Sequence, residues 1–307
     1  MKQRMKEENG KEKKIVELEP EVAQTVFWEN SLEPEREMDE AGIINLVSQS
    51  VWKFFEDNRQ TLANELGIDE LDLVLADARI LGAESNKKQI FRIEELLGSK
   101  NPFKIKTYLT VADRDHLPEE AVTILEPGAV RAHLAGKSQK KPVLFLESGN
   151  DATYFYFASP TGTKRLSSWP WGLKSVLQGM EKELATDAEV NREIYLRYIN
   201  NEVSEEARRA IERSFTSSLE EFQRGLAANL HNYKEELSEY QRLPAFYRAS
   251  FRLPEWVYEK RFAADGRRIL LKKPEEADIS LLFADENVAA REEFSEKTLQ
   301  RIKWLMA

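Results

Sequence analysis

The residues best suited to a chemical role lie in one polar turn, Glu147-Ser148-Gly149-Asn150-Asp151. A serine beside a glycine could indicate a nucleophile, but the Gly-x-Ser-x-Gly pattern of a nucleophile elbow is absent. The Gly-x-x-x-x-Gly-Lys-[Ser/Thr] phosphate loop and the His-Glu-x-x-His zinc motif are absent as well. Because the chain has 54 acidic residues, two neighbouring carboxylates carry little information. These patterns predict no catalytic residues and no metal site.

Two strands are expected to position this turn. Residues 143–146 are all apolar, which is typical of a strand buried on both faces. Residues 153–157 are aromatic or β-branched, which predicts a returning strand. Gly149 is expected to adopt a positive φ between them, since glycine does so without steric cost. Residues 160–162 predict a second turn, and 164–168 predict a third strand.

A strand, an acid, a glycine-containing turn and a returning strand resemble the second phosphate hairpin of the actin-like ATPase superfamily. The pattern is most similar to the FtsA-like cell-division family and, second, to the PilM-like pilus-assembly family. In that superfamily the backbone N–H groups of the turn wrap the nucleotide phosphates, and the acid holds hydrated Mg²⁺. The resemblance aligns Glu147 with the acid, Gly149 with the first glycine and Thr153 with a threonine. These three are therefore the candidate cofactor-binding residues.

The hairpin departs from the family pattern at most of its other positions. Asn150 and Asp151 stand in place of glycines, Ala152 in place of a threonine and Tyr154 in place of an aspartate. Residues 249–252 replace a Gly-Gly loop against which adenosine packs in the family. The first phosphate loop, Asp-x-Gly-[Thr/Ser], does not precede the hairpin. The resemblance therefore implies a pseudo-ATPase without a cofactor, in which ATP and Mg²⁺ bind only at a vestigial or shared site.

The chain is predicted to have the α/β (α+β) fold class and three segments. Residues 1–24 are expected to form a disordered basic tail, since 1–14 hold six Lys or Arg against three Glu. Residues 25–117 resemble the FtsA/PilM-type insert domain, with the order strand–helix–strand–strand. Residues 118–307 resemble a degenerate second lobe of the actin-like, ribonuclease-H-like type. The expected chain is thus an N-terminally shortened member of the superfamily.

Apolar residues at helical spacing predict a long helix in the insert, capped by Asp39 and ended by Gly67. The stripe consists of Ile43, Val47, Val51, Phe54, Leu62 and Leu66. Residues 71–80 predict a strand, and 103–111 alternate between apolar and polar, as half-buried strands do. Strands of the insert, 103–111 among them, are the expected docking edges for a protein partner.

A second apolar stripe runs from Ala207 to Leu237, with Ser204 as the expected N-cap of its helix. The stripe fits a coiled-coil seam between two copies or a core helix that lies across a sheet. Several of its positions are aromatic, which suits a sheet surface better than a two-stranded seam. We therefore favour the core helix, and the dimer remains the alternative.

The C-terminal segment predicts an amphipathic basic helix. Its apolar residues are Phe294, Leu299, Ile302, Trp304 and Leu305. FtsA-like proteins end in such a helix, which lies on the membrane, so the resemblance implies weak peripheral membrane contact through these residues. The alternative is a closing helix packed on its own domain.

Composition excludes several classes of protein. The chain has no cysteine, so a disulfide framework and thiolate chemistry are excluded. The net charge of −9 argues against nucleic acid as the main partner. No apolar run approaches the length of a membrane span, and the polar start is unlike a signal peptide. The expected location is the cytoplasm, where the chain could also contact the inner membrane peripherally.

The resemblance implies a non-catalytic FtsA-like scaffold or adaptor in cell division or cell-envelope assembly, acting through protein contacts or self-association. One alternative is an ATP-binding actin-like protein whose site is completed by a partner chain. Another is a PilM-like adaptor for type IV pilus assembly.

Overall fold

The computed structural model is a mixed α/β structure in which helices pack on β-sheets. No helix in the described part is both long and apolar enough to cross a membrane. The structure describes residues 2–8, 11–90, 92–118, 123–240, 243–264, 267–274 and 294–302.

The chain divides into two compact units, and it enters the first of them three times. Unit 1 comprises Met1–Ser138, Ser159–Lys164 and Ala277–Ala307. Unit 2 comprises Gln139–Ala158 and Arg165–Glu276. The boundary expected at residue 117 therefore falls inside unit 1.

The N-terminal residues form strands where the sequence predicts a disordered tail. Strand β1 (Lys2–Glu8) pairs antiparallel with β2 (Lys11–Glu17), and β2 pairs parallel with β7 (Thr123–Leu125). Ile15 and Val16 of β2 are buried, which anchors the hairpin to the rest of the unit. The prediction of disorder rests on local composition alone, whereas β7, which pairs with β2, is distant in sequence.

A larger antiparallel sheet in unit 1 has the strand order β3-β6-β4-β5. Its strands are β3 (Ala23–Leu32), β4 (Leu73–Ser85), β5 (Lys88–Ile90) and β6 (Phe103–Asp113). Strand β6 lies between β3 and β4 and pairs with both along its whole length. The prediction that 103–111 is a docking edge is therefore wrong, because both of its hydrogen-bonding edges are occupied.

Helix α1 (Glu40–Leu66) packs on one face of this sheet. The Asp39 carboxylate accepts from the Gly42 N–H at 2.8 Å, and Gly67 ends the helix in the left-handed conformation, as expected. Phe55 takes the buried position that the sequence assigned to Phe54. Phe54 is half-buried and stacks on Trp28. The second helix of unit 1, α2, spans Pro127–Gln139.

A buried carboxylate organises the other face of the sheet in unit 1. Asp77 lies at a β-bulge of β4 and is 1% exposed. Its Oδ2 accepts from Arg79 Nε at 3.1 Å, from the Tyr108 hydroxyl at 3.1 Å and from the Ile124 N–H at 3.2 Å. Burial, and then the adjacent Asp77 carboxylate, raise the pKa of Tyr108 well above its ordinary value, so Tyr108 remains a donor.

A helix at 294–302 packs against α1 within unit 1. Phe294 and Ile302 are buried, and Leu299 packs on the same apolar cluster. The structure therefore contradicts the predicted membrane contact through these three residues, because their side chains belong to the core of unit 1. Trp304 and Leu305, assigned to the same contact, lie outside the described residues.

The sheet of unit 2 has the order β12-β13-β11-β8-β9-β10. Strands β8, β11 and β13 are parallel, and β9 is antiparallel to β8. The strands are β8 (Val143–Ser148), β9 (Thr153–Ala158), β10 (Thr163–Trp169), β11 (Ala245–Ala249), β12 (Arg261–Ala264) and β13 (Arg267–Lys272).

Helices cover one face of the sheet in unit 2. They are α3 (Leu173–Leu184), α4 (Ala188–Ile199), α5 (Glu205–Asn232) and α6 (Lys234–Leu237). Ser204 caps α5 as expected, with its hydroxyl accepting from the Ala207 N–H. The apolar stripe of α5 is buried in one cluster with strand residues such as Leu146 and Phe155. The structure thus supports the core-helix interpretation of this stripe.

Candidate functional site

The polar turn of unit 2 joins β8 to β9, as the sequence predicts. Ser148 pairs with Thr153 across the hairpin, and the Gly149 N–H donates to the Ala152 carbonyl at 2.8 Å. None of the four residues 149–152 has a positive φ, so the prediction for Gly149 is wrong. This backbone hydrogen bond closes the turn. The carbonyl groups of Gly149 and Asn150 point at the N-terminus of α3.

The backbone of this turn occupies the N-terminus of α3. The Leu173 N–H donates to the Gly149 carbonyl at 3.3 Å, and the Lys174 N–H donates to the Asn150 carbonyl at 3.0 Å. The first N–H groups of a helix have no partner within the helix and carry partial positive charge, which makes them suited to anions. Here carbonyl oxygens of the same chain occupy these donors.

Gly172 permits this close approach. A Cβ at this position would lie 2.4 Å from the Asn150 carbonyl oxygen and 2.6 Å from that of Gly149. Any other residue would therefore force the turn away from the helix. Gly172 is not among the residues to which the sequence patterns assign a role. The local signal was present, because a glycine directly before an amphipathic helix is a preferred N-cap.

Glu147 is paired with a cation of the protein itself. It is 9% exposed, and Arg248 Nη1 donates to its Oε1 at 2.7 Å. The two residues are register partners on the parallel strands β8 and β11, which fixes this pairing by the backbone. The carboxylate that the resemblance assigns to Mg²⁺ thus has a guanidinium beside it. Within the described residues, no group of three or more Asp, Glu or His side chains could hold a metal ion.

Thr153 belongs to a buried chain of hydroxyl groups whose direction is fixed by its end. Thr153 Oγ1 lies 2.7 Å from the Trp171 carbonyl oxygen, which can only accept, so Thr153 donates to it. Ser148 Oγ lies 2.6 Å from Thr153 Oγ1 and therefore donates to it. The Tyr247 hydroxyl, 3.0 Å from Ser148 Oγ, donates to Ser148 in turn. Burial is the main reason that the pKa of Tyr247 is raised well above its ordinary value, which keeps this donor protonated.

The three candidate residues share one hairpin, but the structure does not bring their side chains together. Thr153 pairs with Ser148, and Glu147 pairs with Tyr154. Since successive side chains of a strand alternate between faces, Glu147 and Thr153 lie on opposite faces of the sheet. Gly149 contributes only backbone, which the turn itself uses.

The loop after β11 packs against aromatic side chains. The Phe251 and Trp171 ring centroids are 6.2 Å apart. Trp171 is fully buried, and its indole N–H lies 2.8 Å from the Ser218 carbonyl oxygen. The Ser250 N–H donates to the Ser148 carbonyl at 2.8 Å, so the loop is bonded to the hairpin. The loop that stands in place of the family's Gly-Gly pair therefore carries a phenyl ring that packs near Trp171.

Comparison with known proteins gives only distant similarities. No family model matches the chain, and no curated protein matches it. Among solved structures, a PilM-PilN type IV pilus biogenesis complex is 13% identical with a TM-score of 0.40, covering 92% of this chain and 76% of that chain. The ethanolamine utilization protein EutJ from Carboxydothermus hydrogenoformans is 12% identical with a TM-score of 0.32, covering 57% and 55%. Apo psk41 ParM is 13% identical with a TM-score of 0.32, covering 59% and 51%. The chain spans about half the length of the last two, and overlaps this limited carry no conclusion about its activity.

Proposed function

We propose that this protein is a non-catalytic scaffold or adaptor with an actin-like lobe, acting through protein contacts. One observation carries the proposal: the polar groups of the hairpin in unit 2 are bonded to the chain itself. The α3 N–H groups bind the carbonyls of Gly149 and Asn150, Arg248 binds Glu147, and Thr153 binds the Trp171 carbonyl.

This arrangement is unsuited to phosphoryl transfer for a physical reason. That chemistry depends on groups that position phosphate and metal and stabilise the developing charge. A phosphate at this hairpin would have to break two helix-to-turn hydrogen bonds, and a metal ion would have to displace the Arg248 guanidinium. The Glu147 carboxylate is the buried one of these groups, so loss of its pairing with Arg248 would cost about 1–3 kcal/mol.

The biological setting of the scaffold follows from the sequence resemblance. The FtsA-like pattern favours a cytoplasmic role in cell division or cell-envelope assembly, and the PilM-like pattern favours a type IV pilus adaptor. Both roles require protein partners, which is the part of the proposal that the two patterns share.

Calorimetric titration of the purified full chain with Mg-ATP tests the non-catalytic assignment. We expect no saturable heat up to about 1 mM nucleotide, which means a binding free energy weaker than about −4 kcal/mol. A micromolar dissociation constant that Glu147→Gln abolishes would overturn the proposal. The matched control is Glu29→Gln, which alters an acidic strand residue of unit 1 and should leave the titration unchanged.

A further inference from the structure

The turn that joins α1 to β4 carries the most exposed large apolar side chain in the described part of the chain. Its residues 69–72 read Asp-Glu-Leu-Asp, and all four are exposed. Leu71, at 73% exposure, projects into solvent with acidic residues on both sides of it in the sequence. We call residues 69–72 the acidic turn.

Hydrogen bonds fix the backbone of the acidic turn. The Leu71 N–H donates to Asp69 Oδ1 at 2.8 Å. Arg59 Nε donates to the Glu70 carbonyl, and Arg114 Nη2 donates to the Leu71 carbonyl, each at 3.1 Å. Because the turn is held by these bonds before any partner arrives, docking through Leu71 would cost little conformational entropy.

A face of the opposite charge lies on the outermost strands of the sheet in unit 2, β12 and β13. Arg261 and Leu270 are register partners, and Arg268 and Lys272 lie two positions to either side of Leu270. Successive side chains of a strand alternate between faces, so these four residues share one face, which we call the basic face. Leu271, on the other face, is buried in the cluster that includes α5.

The basic face is exposed to solvent and strongly cationic. Leu270 is 42% exposed, and the three cations around it are exposed as well. Among the described residues none of these three cations forms an ion pair, whereas the nearby Lys273 pairs with Glu255 at 3.7 Å. Residues 260–273 hold six Lys or Arg against one Asp, although the net charge of the chain is −9. Such a local excess of charge attracts an acidic partner within a Debye length of about 8–10 Å.

We propose that the acidic turn of one copy of this chain docks on the basic face of another, with Leu71 packed against Leu270. The carboxylates of the turn then lie among Arg261, Arg268 and Lys272, so the two surfaces are complementary in charge. Leu71 and Leu270 are exposed in the single chain, so the docking that covers them takes place between copies. This inference deepens the proposed scaffold function and rests on it, because it names a second copy as the protein partner.

The contact is heterologous, because the two surfaces differ. Each copy offers one acidic turn and one basic face, so copies can add in succession. Nucleic acid and anionic lipid also suit a cationic face, but neither accounts for an exposed leucine on a fixed acidic turn. A second copy accounts for both surfaces at once.

Sedimentation velocity of the full chain tests the docking. At about 200 μM chain and low salt we expect species larger than a dimer, which dissociate on dilution or at about 500 mM salt. Leu71→Lys places a cation against the basic face, and Arg268→Glu places a carboxylate against the acidic turn. Each variant alone should lower the association constant at least ~10-fold.

A mixture of the two variants separates this contact from other kinds of association. One intact basic face remains on Leu71→Lys, and one intact acidic turn remains on Arg268→Glu. Mixed in equal amounts, the two variants should therefore form a heterodimer that grows no further. A contact between identical surfaces, or a non-specific one, would not give this result.

Matched controls place the same substitutions elsewhere on the surface. Leu196→Lys and Arg192→Glu alter an exposed leucine and an exposed arginine of α4, and both should associate as the unaltered chain does. A chain that stays monomeric at about 200 μM would overturn the proposal, and so would equal association by all four variants or a mixture without heterodimer.

A vesicle experiment covers the other occupant of the basic face. An unaltered chain that stays monomeric but binds phosphatidylserine vesicles, in a manner that Arg268→Glu abolishes, would assign the basic face to a lipid surface and overturn the contact between copies. Any of these failures would leave the nucleotide titration, and with it the non-catalytic assignment, unaffected.

Discussion

In unit 1 the buried Asp77 is held by an ionised arginine, whereas in unit 2 the buried Ser148 and Thr153 are held by other hydroxyl groups. Both clusters join strands and both lie out of solvent. The carboxylate draws three donors from β4, β6 and β7 onto one oxygen, and it requires all of them to offset the cost of burying a charge. The hydroxyl chain carries no charge, so each of its links contributes about 1 kcal/mol. We infer that the Asp77 cluster of unit 1 depends on complete pairing of its buried charge, and that the hydroxyl chain of unit 2 does not.

Replacing Asp77 should have the largest effect. Asp77→Ala leaves Arg79 mostly buried without its carboxylate, which should lower the free energy of unfolding of unit 1 by about 3–5 kcal/mol. Urea denaturation combined with hydrogen exchange of the β4 and β6 amides measures this loss. Glu29→Ala is the control, because its partners Lys104 and Lys106 are exposed and each of these ion pairs should be worth less than about 1 kcal/mol. Equal losses for the two variants would show that the buried pairing of Asp77 contributes no more to stability than an ion pair with exposed lysines.

As the pH falls, unit 1 should lose stability before unit 2 does, because unit 1 contains the buried His133. Burial, and then Lys137 and Lys106, lower the pKa of His133 to about 4, and the unfolded chain regains a pKa near 6.5. Between these values the unfolded state binds more protons, so stability falls as the pH drops from 6.5 towards 4. The total loss is about 3 kcal/mol, and it is absent above pH 6.5.

NMR titration of the His133 ring together with unfolding at several pH values checks this dependence. His133→Gln should flatten the slope between pH 4 and 6.5 while leaving the hairpin of unit 2 unchanged. A His133 ring that titrates near 6.5 in the folded protein would contradict the prediction.

Tyr247→Phe should have a smaller effect, because it removes one neutral link of the hydroxyl chain. We expect a loss of about 1 kcal/mol in the free energy of unfolding of unit 2, without any change in pH dependence. Denaturant unfolding at pH 5 and pH 8 provides the measurement. A loss above about 3 kcal/mol, or one that differs between the two pH values, would show that the chain behaves like the charged cluster.

Tyr195→Phe should have the smallest effect and the opposite sign. Tyr195 is buried, as Tyr247 is, but its hydroxyl has no hydrogen-bond partner among the described residues. Removing a buried and unsatisfied hydroxyl should leave stability unchanged or raise it by up to about 1 kcal/mol. The same unfolding experiment compares the two tyrosines directly, and a clear destabilisation would indicate an ordered water at Tyr195.

The features that the sequence predicted correctly are local ones. Asp39, Gly67 and Ser204 act as helix caps because their side chains or backbone bond within a few residues. The β8–β9 hairpin follows from one apolar run, one polar turn and one aromatic run. The larger features that it missed are set by partners far along the chain. Neither the central place of β6 nor the pairing of Glu147 with Arg248 has a local signature, because strand order and register decide both.

Because unit 1 is discontinuous in sequence, it can be completed only late in synthesis on the ribosome. Strand β4 and helix α1 emerge early, whereas the residues that cover Ile80 and Ser48 are translated only after the whole of unit 2. At typical elongation rates that interval lasts roughly 10–40 s. Throughout this interval the apolar residues of α1 and β4 lack the cover that Phe294 and Ile302 later provide, and uncovered apolar surface makes incompletely folded chains prone to aggregation. A chain that ends before residue 294 should keep this surface uncovered, and we expect it to aggregate more readily than the full chain.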